Sequence, residues 1–119
     1  MKRNIKYATV LFLIVFLGLL LPQPRVVEAS GDPAKGKAIY EKHCMVCHGA
    51  EGKGDGPTGR LLKPPAADFT SAMSKKKSEA DLLQTAENGK PGTAMVPWKT
   101  QLSQPELNDV IGYVMTLRK

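Results

Sequence analysis

The chain has 119 residues, enough for one small domain, and its 17 basic and 11 acidic residues give a formal net charge of +6. Removing the first 29 residues leaves 13 basic and 10 acidic residues, a formal charge of +3. Because this charge is mild and the first residues have the character of an export signal, the composition argues against nucleic-acid binding.

Residues 1–29 have the layout of a secretory signal peptide. A positively charged start precedes an apolar run at 8–21, two prolines and the sequence Val27-Glu28-Ala29, which offers small side chains to a signal peptidase. The alternative is a retained membrane anchor, although a spanning helix usually needs roughly 20 apolar residues. We therefore expect a signal peptide at 1–29 and a working domain at 30–119. Such a domain would be exported, to the periplasm or, with the leader retained, to the outer side of the cytoplasmic membrane.

The first part of the working domain predicts one helix followed by a long loop. Asp32 is a good N-cap and Pro33 suits the first helical position of "GDPAKGKAIYEKHC". The stretch from Gly49 to Phe69 is rich in glycine and proline and is typical of an ordered loop.

Two further helices are predicted towards the C-terminus. Ser78 with Asp81 resembles a capping box, and Ser103 with Glu106 forms another. The apolar residues of the last helix share one face: Leu107, Val110, Ile111, Val114 and Leu117. No segment alternates as a strand would, so the predicted fold class is all-α. Helices this short bury little by themselves, so we expect a bulky apolar group between them.

Both cysteines and both histidines of the chain lie in "HCMVCH", residues 43–48. A closed zinc site usually takes its four ligands from separate parts of the chain, and adjacent His-Cys pairs converge poorly on one ion. A redox disulfide would lack the usual βαβ surroundings, and a plain disulfide here would close a very short loop. Cys-x-x-Cys-His is the attachment signature of c-type haem. This third interpretation is favoured, with Cys44 and Cys47 forming thioethers and His48 binding the iron.

A six-coordinate haem electron carrier needs a second axial ligand, usually Met or His. His43 is too close to His48 to reach the opposite side of the haem, so we expect a solvated or loop-packing role for it. Met73 should be exposed, and Met115 should pack within the last helix. Met95, in the loop "GTAMVPW", is the predicted ligand.

On these residues the chain resembles a class I c-type cytochrome of the small bacterial monohaem kind, over nearly all of residues 31–119. The resemblance implies a cytochrome c fold: three or more helices and long loops wrapped around one covalently bound haem c. It implies that Cys44, Cys47, His48 and Met95 bind the haem, with His48 and Met95 as the iron ligands.

The resemblance also implies two contacts within the protein. The first joins the first helix to the last, through Gly36 and Tyr40 on one side and Val110 and Tyr113 on the other. The second is a hydrogen bond from His48 Nδ1 to the carbonyl of Pro57, which would orient the ligand.

One local departure from the family's pattern lies beside the predicted distal ligand. Val96 separates Met95 from Pro97, where the family often has Met-Pro. The departure affects the expected backbone path of this loop more than the choice of Met95 as the ligand.

The implied function is electron transfer by Fe(III)/Fe(II) cycling between respiratory redox partners such as membrane complexes or oxidases, without enzyme activity. The alternatives are a haem subunit of an oxidoreductase complex, or a haem peroxidase or gas sensor with a displaceable distal ligand. Membrane contact is expected only if the leader is retained. The basic run at residues 75–77 is either solvated surface or a docking patch for an acidic partner.

Overall fold

Short helices joined by loops form the regular structure of residues 31–119, the part of the chain that this computed structural model describes. The predicted leader, residues 1–29, lies outside the described residues. The elements are α1 (Pro33–His43), α2 (Met45–His48), a 3₁₀ helix (Gly59–Leu61), α3 (Ala72–Lys75), α4 (Glu79–Asn88) and α5 (Gln104–Leu117). Between residues 31 and 119 there is no strand, so the all-α prediction is confirmed. Within the same range, no helix has the length and hydrophobicity needed to cross a bilayer.

The predicted caps set where the longer helices begin. Asp32 starts α1 by accepting a hydrogen bond from a backbone N–H two residues on, at 2.9 Å. The carboxylate of Asp81 accepts from the N–H and O–H of Ser78 at 2.8 and 2.7 Å, and Glu106 does the same with Ser103 at the same distances. These hydrogen bonds to the charged form lower the pKa of both carboxyls below the ordinary range.

Helices α1 and α5 cross at a glycine. A Cβ on Gly36 would collide with the backbone carbonyl oxygen of Asp109, so only glycine lets the two backbones approach this closely. One turn further along α1, the ring of Tyr40 lies against that of Tyr113, with 5.2 Å between ring centroids. Val110 is buried beside them. The contact implied by the family resemblance is therefore present.

The predicted apolar face of α5 packs into a small core shared with α1 and α4. Leu117, the last predicted member of that face, is only partly buried. The buried hydrophobic residues are Tyr40, Phe69, Leu82, Ala86, Leu102, Leu107, Val110, Ile111 and Val114. The core lines one side of a cavity, which positions the candidate site.

Helix α3 and the end of α5 are joined by Arg118, a contact that the sequence did not predict. Ser71 caps α3 by accepting a hydrogen bond from the backbone N–H of Ser74. The guanidinium of Arg118 donates to the carbonyl oxygens of Ser74 and Lys77. The backbone of the basic run is therefore fixed to the C-terminus of α5, while its lysine side chains remain at the surface.

Candidate functional site

The cysteine–histidine segment begins where α1 ends. The backbone N–H of Cys44 donates to the carbonyl of Tyr40 at 2.8 Å, and the N–H of His48 donates to the carbonyl of Cys44 at 2.9 Å. One helical turn, called the attachment turn below, therefore carries Cys44, Cys47 and His48. All three residues line one cavity, and the side that they form is the attachment side.

The glycine-rich loop folds back onto this turn and holds its backbone. Gly54 N–H donates to the carbonyl of His48 at 2.8 Å, and Gly56 N–H donates to that of Cys47 at 3.2 Å. The hydroxyl of Tyr40 donates to the carbonyl of Gly49 at 2.7 Å. Burial raises the pKa of that hydroxyl, with a further contribution from Cys44, so Tyr40 remains a hydrogen-bond donor.

The imidazole of His48 is oriented by the far end of the loop. Its Nδ1 donates to the carbonyl oxygen of Ala67 at 3.1 Å, and its ring stacks on Phe69 with centroids 4.5 Å apart. The expectation that Pro57 would provide this carbonyl is wrong, because the loop brings Ala67 to His48 and leaves Pro57 on another face. Burial lowers the pKa of His48, opposed in part by its hydrogen bond to Ala67. A neutral imidazole with Nδ1 engaged leaves Nε2 free to bind a metal.

Met95 is placed by a tight turn after α4. Pro91 and Gly92, with φ of +74° at the glycine, follow the type II turn pattern. The turn is closed by a hydrogen bond from Thr93 N–H to the carbonyl of Lys90 at 3.2 Å, and Thr93 Oγ1 donates to the same oxygen at 2.7 Å. Lys90 N–H donates in turn to the carbonyl of Met95 at 2.9 Å. Met95 is therefore held at the cavity by local backbone bonds.

These segments enclose one cavity of about 380 Å³, a volume within the usual range of cofactor sites. The four predicted haem-binding residues all line it: Cys44, Cys47, His48 and Met95. Much of the remaining lining is apolar core: Leu82, Ala86, Leu102, Leu107, Val110, Ile111 and Val114. Two thiols, an imidazole and a thioether around an apolar space fit a covalently held haem. A hollow behind the attachment turn, lined by Met45 and Pro57, contains none of these four residues.

Cys44 and Cys47 do not form a disulfide with each other, and both are partly buried. Burial raises the pKa of Cys44 to about 11, and the neighbouring Cys47 adds to the increase. In the unmodified chain the Cys44 side chain is therefore a protonated thiol at neutral pH, and it lines the cavity.

The other residues that were considered as iron ligands lie in the surroundings predicted for them. Met73 is 78% exposed, as expected, and also lies at the edge of the cavity. Met115 packs against the core and accepts a hydrogen bond from Arg118 at 3.0 Å. His43 packs against Trp98.

Three residues at the site were not predicted to take part in it: Ala67, Phe69 and Trp98. Ala67 acts through its backbone carbonyl, so its side chain gives no signal in the sequence. Phe69 and Trp98 are aromatic residues at loop ends, where such rings usually pack inward. That rule could have predicted that both rings line the cavity. It could not have predicted that Phe69 stacks on His48 or that Trp98 packs against His43.

Comparisons with known proteins agree with the geometry. A model of the "Cytochrome c" family matches residues 33–118. Cytochrome c-554(547) of Halothiobacillus neapolitanus is 29% identical over 91 residues, which are 75% of this chain and 100% of that protein. The cbb3-type cytochrome c oxidase subunit CcoP of Azospirillum brasilense is 30% identical over 83 residues, 70% of this chain and 28% of the subunit.

Two further matches come from larger proteins. A thiosulfate dehydrogenase of Stutzerimonas stutzeri is 44% identical over 45 residues, 38% of this chain and 14% of that enzyme. Among solved structures, the Kuenenia stuttgartiensis reducing HAO-like protein complex matches with a TM-score of 0.63 and 26% identity, over 74% of this chain and 43% of that one. The chain thus spans one small relative completely and only part of the others.

Proposed function

The chain belongs to the cytochrome c family, and we propose that it is a monohaem electron carrier. Members of this family bind haem c covalently and transfer electrons. We propose Cys44 and Cys47 as the attachment residues, and His48 and Met95 as the axial ligands. Bound haem c supplies one-electron cycling between Fe(III) and Fe(II).

The observation that carries the proposal is the shared cavity. The attachment turn and the loop after α4 are far apart in sequence, yet Cys44, Cys47, His48 and Met95 all line one space of about 380 Å³. Two cysteine sulfurs for covalent attachment, with an imidazole and a thioether as iron ligands, are the set expected of a c-type cytochrome with His and Met ligation.

Each proposed residue has a distinct role that its surroundings support. The Ala67 carbonyl holds His48 in one ring orientation, so that Nε2 is available for the metal. The thioether of Met95 is a soft ligand that favours the reduced state and raises the potential. The apolar lining excludes water and further disfavours the more highly charged oxidised state.

Two axial protein ligands favour a carrier over an enzyme or gas sensor, which needs an open or readily opened position. The full-length match to cytochrome c-554(547) supports a small free-standing carrier. The partial match to an oxidase subunit supports a second candidate, a haem subunit of an oxidoreductase complex. In either case we propose redox protein partners such as respiratory complexes or oxidases, and export directed by residues 1–29 to the periplasm or the outer side of the cytoplasmic membrane.

Three matched Met→Leu variants of the haem-loaded protein test the ligand assignment. Met95→Leu should abolish the weak sulfur-to-iron charge-transfer absorption, lower the reduction potential and speed cyanide binding to the ferric protein. Met73→Leu, at the cavity edge, and Met115→Leu, in the core, should leave the absorption in place. Loss of the absorption in Met73→Leu with its retention in Met95→Leu would transfer the assignment to Met73. A wild-type protein without the absorption would contradict the proposed His–Met carrier.

A further inference from the structure

The rings of His43 and Trp98 meet at the edge of the cavity, although the two residues are far apart in sequence. Their centroids are 5.2 Å apart and their planes are inclined at 61°, an edge-to-face arrangement. His43 ends α1 and adjoins Cys44, whereas Trp98 follows Met95 by three residues. Both side chains are half-buried and both line the cavity. The contact therefore connects the attachment side of the cavity to the loop that carries Met95.

The backbone of Trp98 is anchored to the body of the fold. Its N–H donates to the carbonyl of Ala86 in α4 at 2.9 Å, and its carbonyl accepts from the N–H of Leu102 at 2.9 Å. Leu102 is buried in the core. At the other end of the loop, Lys90 N–H holds the carbonyl of Met95. Met95 therefore lies between two fixed points, and the anchor at Trp98 also contacts the attachment side through its side chain.

We propose that His43 is a positioning residue for Met95 that acts through Trp98, an inference that rests on the function proposed above. Displacing Met95 from the cavity requires the segment between Met95 and Trp98 to move outward. The edge-to-face contact opposes that movement because it fixes the Trp98 ring against the end of α1. Removing the His43 ring should increase the frequency of loop opening by roughly 2- to 10-fold, the range expected for the loss of one aromatic pair.

The test measures how often Met95 leaves its position in the haem-loaded ferric protein. At saturating imidazole, the rate of imidazole binding is limited by loop opening. His43→Ala and His43→Leu should both raise this limiting rate by about 2- to 10-fold, while His43→Phe should restore it to within about twofold of wild type. Lys42→Ala is the matched control, because Lys42 is the other basic residue in the last turn of α1, and it should leave the rate unchanged. Exchange of the Trp98 amide hydrogen should quicken in parallel with imidazole binding.

The outcomes separate this inference from the proposed function. If the wild type has the charge-transfer absorption and His43→Ala binds imidazole no faster than Lys42→Ala, the positioning role is refuted and the carrier proposal stands. If His43→Phe is as fast as His43→Leu, the aromatic contact is not the cause and the inference is also refuted. A wild type that lacks the absorption refutes both. Should His43→Ala fail to mature, the Leu and Phe variants alone give the same comparison.

Discussion

Replacing Gly36 by alanine separates the intrinsic preference of a helix from the demands of the α1–α5 crossing. In an isolated helix, Gly→Ala is stabilising by about 1 kcal/mol. In this fold, the added Cβ would lie 2.5 Å from the carbonyl carbon of Asp109 and 3.0 Å from Cβ of Tyr113, besides colliding with the Asp109 oxygen. Because two of these atoms belong to the backbone, the helices must separate, and the Tyr40–Tyr113 contact loosens.

Overpacking of this kind usually costs 1–3 kcal/mol, and backbone displacement places this site at or beyond the upper end of that range. After the gain in helix preference is subtracted, we expect Gly36→Ala to destabilise the domain by about 2 kcal/mol. For a domain of this size that lowers the melting temperature by roughly 8–16 °C. Thermal and denaturant unfolding, followed by far-UV circular dichroism, would measure both values. Lys37→Ala, at an exposed position on the same helix, is the control and should change stability little. A Gly36→Ala protein more stable than wild type would refute the argument that the crossing requires glycine.

Three other predictions concern a buried hydrogen bond, a helix cap and the basic run. Tyr40→Phe removes the hydroxyl donor to the buried carbonyl of Gly49, which keeps its hydrogen bond from Gly52 N–H at 3.2 Å, so the free energy of unfolding should fall by about 0.5–1.5 kcal/mol in urea titrations. Hydrogen bonds from Ser78 lower the folded-state pKa of Asp81. The stabilisation from these hydrogen bonds should be complete above the unfolded-state pKa of about 4 and should be lost as the pH falls through the folded-state pKa. The difference in the free energy of unfolding between wild type and Ser78→Ala should therefore be smaller in acid. Neutralising the lysines at residues 75–77 to glutamine should slow electron transfer with anionic ferricyanide by up to about tenfold at low salt, and an unchanged, salt-insensitive rate in stopped-flow would exclude a steering role.

Features that depend on neighbouring residues in the chain were predictable. The caps at Asp32, Ser78 and Ser103 each involve residues within a few positions, and the structure places all three as expected. The apolar face of α5 follows from helical spacing alone, and its inner residues are buried. The attachment motif is likewise a local pattern, so His48 and both cysteines could be identified together as a candidate site.

Features that depend on the path of a long loop were not predictable. The carbonyl that orients His48 belongs to Ala67 and not to Pro57, because every residue of the glycine-rich loop offers the same backbone acceptor. The contact between His43 and Trp98 joins two segments that only the closed fold brings together. Helix α3 spans a single turn, too short for periodicity to distinguish it from a loop.

Intact-mass and optical analysis of protein matured in a host with haem-attachment machinery would show whether this chain binds haem covalently with His–Met ligation. We expect one haem per chain, resistant to extraction by acidic organic solvent because Cys44 and Cys47 hold it through thioethers, together with the charge-transfer absorption of a His–Met pair. Cys44→Ser combined with Cys47→Ser should leave no covalently bound haem. A matured wild-type chain that is colourless, with the mass of the unmodified polypeptide and both thiols free, would rule out covalent haem attachment and with it the proposed electron carrier.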